Sequence, residues 1–251
     1  NPNRFDEKTE YKNLAGVGVA FLFCVALNKK LRESGYYKNK EEPDLIDLLD
    51  LVAFGTICDL VPLVTINRTL VTQGLKIAKN RNNTGIRALA DVSNLEECLN
   101  TYHVGYILGP RINASGRVAN ASSALQLLTT ENEPEAREIA VKLDYYNRER
   151  QETEKNIIKE AIEEIEKENE DKKNIIVVSK EGWHHGVIGI VSSKITDMYL
   201  KPSILLCEEE GMCKGSGRSV QGIDLHEALN NVSQDLEKYG GHAMAVGVSV
   251  K

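Results

Sequence analysis

The sequence predicts an α/β chain in three parts: a helix-rich first body over residues 1–130, a long connecting helix over 131–172, and a small α/β body over 173–251. Three observations carry that prediction. Apolar stretches of helical length follow one another up to about residue 130. The next forty residues are densely charged and carry a single apolar stripe. Beyond Lys173, apolar strands alternate with helical stretches, the pattern of a small α/β domain.

In chain order, "LAGVGVAFLFCVAL" (Leu14–Leu27) is too short to span a bilayer and reads as a buried helix. "PDLIDLLDLVAFGTICDLVP", "NRTLVTQGLKIAKN" and "ASSALQLL" add further helices. In the connector, Ile139, Leu143 and Tyr146, then Ile157, Ile158, Ala161, Ile162 and Ile165, recur at three- and four-residue intervals. Pro134 suits a first-turn position there. The last body reads as strand "NIIVVSK", helix "VIGIVSSKITDMY", strand "SILLCEE", a glycine-rich strand, helix "DLHEALNNVSQDLEKY" and strand "AMAVGVSV".

Composition is that of a globular protein, 41% hydrophobic and 27% charged. The net charge of −6 argues against nucleic acid only until it is located. Between Glu131 and Lys173 there are 15 acidic and 9 basic residues, and the remainder holds 22 of each, so a basic site outside the connector is open. Five cysteines form no CxxC pair, which predicts free thiols, a reducing cytoplasmic setting and no zinc site. The chain opens "NPNRFDEK" and closes "AVGVSVK", and both ends are expected to be cut from a longer protein.

Six stretches have chemistry to offer. In "GTICDLVPL", Asp59 ends an apolar run, either as a turn aspartate or as a rigidly held metal ligand. "GPRINASGR" sets Arg111, Asn113 and Arg117 between glycines, as a surface loop or as phosphate contacts. In "NRERQ", at the start of the connector, Arg148 and Arg150 read as solvated charges with Glu partners. "GWHHGVIGIVSSKI" places Trp183, His184 and His185 at a strand-to-helix junction, where free amides suit an anion.

"CKGSGRS" offers an anion Ser216, Arg218 and two glycines, Gly215 and Gly217, that would let the backbone approach it. Alternation along a strand is taken to point Lys214 away from Ser216. The plain alternative is a glycine-rich turn. In "GGHAMAVG", His242 is expected to enter a strand from a Gly-Gly turn, facing whatever binds there.

Taken together and in order, an initial "NP" followed by these six stretches resembles the RecJ family of the DHH phosphoesterase superfamily, over essentially the whole chain. The resemblance implies the helix-rich remainder of a DHH domain, a connecting helix and a DHH-associated α/β domain, with the active site in the cleft between the domains. It implies a 5′-to-3′ exonuclease specific for single-stranded DNA, serving recombination and repair, with Mn2+ or Mg2+ as cofactor. Repair and single-strand-binding proteins are the implied partners. Matched residue by residue, Asp59 is a metal ligand, and Arg111, Asn113 and Arg117 line the substrate side. Ser216 and Arg218 hold a 5′ phosphate, and His242 lies beside the substrate. His184 falls in the tryptophan-led motif, with His185 where an acidic residue is more usual.

The family's DxD pair, its next aspartate and the Asp-His-His itself do not occur here, nor does a C-terminal oligonucleotide-binding region. Most of the metal shell is therefore expected to lie outside these residues. Two other readings stand beside this one. The first is a DHH phosphodiesterase of short oligonucleotides or cyclic dinucleotides, against which the long connector argues. The second is a non-catalytic nucleic-acid-binding module, against which Asp59 argues.

Overall fold

A computed structural model describes every residue except 1, 3, 5, 7 and 210; the asparagine of the initial "NP" therefore lies outside the described residues. The chain divides into two compact units, Asn1–Tyr146 and Asn147–Lys251. The division falls inside the longest helix, α7 (Glu133–Lys167).

The first unit contains α1 (Gly16–Glu33), α2 (Leu49–Cys58), α3 (Thr65–Ala78), α4 (Thr84–Val92), α5 (Gly109–Val118), α6 (Ser122–Thr129) and the first turns of α7. Its main core gathers Phe54, Ile57, Val71, Leu89, Leu108, Leu127 and Leu143. Local signals start these helices where the chain offers them. Asn83 caps α4 by accepting the Ile86 amide at 2.9 Å. Glycines set the helix spacing: a Cβ on Gly74 of α3 would overlap the Leu49 carbonyl of α2, so only a bare backbone fits there.

Two expectations change in this unit. Helix α1 is not buried. Val17, Phe21 and Leu22 pack on Leu14, Leu49, Val52 and Leu70, while Phe23 (66% exposed), Val25 and Leu27 face solvent. An all-round apolar helix needs cover on every side, and here α2 and α3 supply it on one. The stretch "GPRINASGR" is helix α5 and not a loop. It continues directly from a π-helical segment, His103–Leu108. Pro110 gives that run no N–H, and the turn before it widens accordingly.

The second unit contains the rest of α7, β1 (Ile176–Glu181), α8 (His185–Tyr199), β2 (Ser203–Glu209), β3 (Met212–Arg218), α9 (Leu225–Asn230), β4 (Lys238–His242) and β5 (Ala245–Val250). The sheet order is β1-β2-β3-β5-β4, with β1 and β2 parallel and the other pairs antiparallel. The parallel pair needs a crossover, and α8 provides it. Opposite Leu205 and Ser216, the other sheet face carries Ile204, Val246 and Val248, covered by Leu225 and Leu229 of α9.

The helix expected over "DLHEALNNVSQDLEKY" stops at Asn230, and Lys238–His242 is a strand. The reversal into β5 comes at Ala243 and Met244, so Gly240 and Gly241 lie within β4 and His242 ends that strand. The polar residues of that stretch signal a solvated surface equally well as helix or as edge strand, and β4 is exposed along its whole length.

Candidate functional site

In the first unit two of the candidate residues, Asp59 and Asn113, meet at the end of α2. Asp59 is the C-cap residue, its amide donating to Gly55 O at 3.0 Å. A pocket there is lined by Ala15, Gly16, Val17, Gly55, Cys58, Asp59 and Asn113, so α5 brings Asn113 to Asp59. The close approach depends on Gly109, whose absent Cβ would sit 2.5 Å from Cys58 Sγ. Burial, and secondarily the Asp59 charge, push the Cys58 thiol up.

Arg111 and Arg117 diverge. The Arg111 Nε donates to Asp144 Oδ1 at 2.9 Å and its Nη1 to Ile107 O at 2.7 Å, both partners largely buried. This pair ties α5 to the first turns of α7. Arg117 lies exposed in the last turn of α5. Among the described residues no three His, Cys, Asp or Glu side chains converge on one point. In the pocket at the end of α2, the Asp59 carboxylate and the Asn113 amide are hard-oxygen groups of the type that magnesium and manganese take.

In the second unit the strand register does the assembling. Ser216 and Arg218 share one face of β3, and Arg218 Nη1 donates to Ser216 Oγ at 3.0 Å and to Gly217 O at 2.8 Å. Arg218 pairs with Ala245, and Ala245 with His242, which puts His242 in the same cross-strand row. Lys214 belongs to this face too, because residues two apart in a strand point the same way; the expectation that it turns away from Ser216 is corrected. It pairs with Glu209 at 3.4 Å.

The glycines of "CKGSGRS" have a different role from the one expected. A Cβ on Gly215 would meet Leu206 and Val248, and one on Gly217 would meet Val246 and Ile204, all on the opposite face. They make room for the packing beneath α9 and do not line the anion side. Gly189 of α8 does. A Cβ there would sit 2.9 Å from Ser216 Oγ and 3.3 Å from Arg218 Nη2. Hydroxyls farther along α8 fix it on the sheet: Ser192 Oγ and Thr196 Oγ1 each lie 2.9 Å from Ser203 Oγ, and Thr196 Oγ1 donates to Arg218 O at 3.3 Å. Sequence reading missed all three, although "VIGIVSSKIT" shows the signal, a glycine and small hydroxyls spaced along one helix face.

This contact makes a prediction. Gly189→Ala gains helix propensity of about 1 kcal/mol, yet its methyl presses on Ser216 and Arg218. The expected result is a melting temperature within a few degrees of wild type together with several-fold weaker binding of a 5′-phosphorylated strand. Unchanged binding would mean that the Ser216–Arg218 geometry is not what the ligand reads.

The strand-to-helix junction is structural in part. Trp183 is 3% exposed, and its Nε1 donates to Glu160 Oε2 at 3.0 Å. That bond, then Lys180, holds the Glu160 carboxyl below its ordinary range. His184 caps α8, its Nδ1 accepting the Gly186 amide at 3.1 Å, so one amide of that helix end is already used. His185 stacks on it and stands exposed. Arg150 is not solvated: it lies in the middle of α7, donates to Glu154 at 2.6 Å and to Asn147 at 2.9 Å, and is 11% exposed against 7% for Glu154.

Comparison with known proteins bears on this arrangement. Residues 171–251 match the DHHA1 domain, the part that forms the five-stranded sheet and its helices. The whole chain is 41% identical to the single-stranded-DNA-specific exonuclease RecJ of Haemophilus influenzae, and 96% of it is 42% identical to that of Bacillus subtilis. Over its whole length the chain is similar to RecJ. It spans 45% of the H. influenzae RecJ and 29% of the B. subtilis one, less than half of each relative. The crystal structure of RecJ from Thermus thermophilus in complex with Mn2+ superposes with a TM-score of 0.83 at 32% identity, over 98% of this chain and 35% of that one. A structure of exonuclease RecJ bound to manganese gives 0.81 at 32%, over 60% of its chain. The helix-rich first unit and the small mixed sheet are therefore the RecJ architecture.

Proposed function

We propose that the full-length protein to which this chain belongs is a metal-dependent 5′-to-3′ exonuclease of single-stranded DNA, acting in recombination and repair. The observation that carries the reading is the row Arg218–Ala245–His242 with Ser216 beside it, a preset arginine, hydroxyl and imidazole on one sheet face. Such a group suits a terminal phosphate, which offers several acceptor oxygens to a planar guanidinium. Asp59 is proposed as one carboxylate ligand, with Asn113 beside it and Arg117 toward the strand. In this proposal Arg111 acts through its pair with Asp144, holding α5 in place.

Relatives have been solved with Mn2+ and with Mg2+. A bound ion of this kind acidifies water and neutralises charge on phosphate oxygens. Among the described residues no helix is long and apolar enough to cross a membrane, and we place the protein in the cytoplasm, working on single-stranded DNA alongside repair and single-strand-binding proteins.

The test uses the full-length protein with Mn2+ and strands labelled at either end. Mononucleotide release from the 5′ end of a long single strand, abolished by a chelator, is expected, with a paired duplex resistant. Turnover confined to strands of a few nucleotides or to cyclic dinucleotides would favour the phosphodiesterase reading. Binding without any cleavage would favour a non-catalytic module.

A further inference from the structure

Two tyrosines stand out on the first unit. Tyr102 is 60% exposed and Tyr106 is 74% exposed, and their rings stack on each other at 5.3 Å with 26° between planes. His103 meets Tyr102 edge-on at 6.0 Å, which braces the pair from one side. An i,i+4 aromatic pair is worth a few tenths of a kcal/mol to a helix. That small gain does not account for two large rings left in water, where neither contributes the burial that aromatic residues ordinarily supply.

Their position is informative. They lie at the π-helical segment His103–Leu108, and that segment runs without a break into α5. Tyr102, Tyr106, Asn113 and Arg117 are all exposed along this continuous run. Asn113 lines the pocket that holds Asp59. The run is also pressed onto the last turn of α2. A Cβ on Gly105 would touch Ile57 Cγ2 at 3.4 Å, and Gly109 faces Cys58 Sγ. The aromatic pair is thus held on the same rigid scaffold as the Asp59 pocket, with a cation farther along the same run.

We propose that Tyr102 and Tyr106 form a stacking platform for an unpaired base of a single strand, with the phosphates of that strand running past Asn113 toward Arg117. The proposal rests on the single-strand reading above and adds a subsite to it. Flat π faces with a guanidinium farther along the same helical run complement a ligand that has bases and negative charge together, which a single strand offers and an apolar protein surface does not. A duplex keeps its base faces stacked inside and has none to present.

The experiment is equilibrium binding of the full-length protein, with chelator present to stop turnover, to a labelled oligothymidine and to an abasic strand of equal length. Removing a base-stacking aromatic weakens single-strand binding by roughly five- to a hundredfold. Tyr102→Ala and Tyr106→Ala are expected to show that loss on oligothymidine and almost none on the abasic strand. Tyr106→Trp should keep the affinity, and the indole emission it adds over wild type should be quenched by unlabelled oligothymidine. Equal losses on both strands, or no loss on either with emission unchanged, would overturn the platform while leaving the exonuclease reading in place. Wild type that binds neither strand would overturn that reading and the platform with it.

Discussion

Asp59→Ala in the full-length protein is expected to abolish turnover while leaving the fold as stable as before, or slightly more so. The two halves of that statement have separate physical sources. Removing groups that merely orient a metal ligand costs about 10–100-fold in metal affinity or activity, so removing a ligand itself should exceed that range. Stability should move the other way. Asp59 sits at the C-cap of α2, where the carbonyl ends of the helix make a negative charge unfavourable by about 0.3–1 kcal/mol. Its backbone amide makes the capping bonds, to Gly55 and Ile57, and survives the substitution. In the proposed role that small cost is accepted for the sake of a ligand, and the carboxylate adds nothing to folding. The check is a thermal melt and a metal titration on the variant beside its activity, with Asp59→Asn as the shape-conserving control. Near-normal turnover would return Asp59 to a turn residue, and a large drop in melting temperature would show that the pocket around Asn113 needs it structurally.

The elements that carry the candidate residues were legible because rigid elements announce themselves by periodicity. The apolar run ending at Asp59, the strand–helix–strand from Ile176 to Glu209 and the 35-residue α7 all follow from spacing alone. What was not legible depends on partners far away in sequence. Gly109 and Pro110 are local breakers, yet Ala114 and Ser115 are fully buried and packing carries the helix through. The glycines of β3 suggest an exposed backbone until the cross-strand neighbours Ile204, Leu206, Val246 and Val248 are known. Arg150 looks solvated in a run of charges, and only the helix face it occupies makes it a buried partner of Glu154. The apolar sequence of α1 contains no sign of which side α2 and α3 would cover.

Arg218→Ala is the second substitution with a large expected effect, confined to one kind of DNA end. The guanidinium is preset before any ligand arrives. Its Nη1 bonds Ser216 Oγ and Gly217 O, and its backbone is fixed by Thr196 and by pairing with Ser203. A ligand that meets a fixed guanidinium loses less entropy on binding, so most of the charged hydrogen bond remains as affinity. Such a bond is worth about 1.5–3 kcal/mol, which corresponds to roughly a ten- to hundredfold loss on 5′-phosphorylated strands. Strands ending in a 5′ hydroxyl should change far less, having no terminal phosphate to lose. Arg218→Lys should recover little, because one ammonium cannot reproduce the planar fork. Ser216→Ala should give a smaller loss of the same selectivity, since it removes one donor and the arginine's neighbour together. The comparison is made at one salt concentration, because backbone phosphate contacts all weaken as salt rises. Equal losses on both ends would make Arg218 a general backbone contact, and no loss on either would return "CKGSGRS" to a strand whose polar face merely meets water.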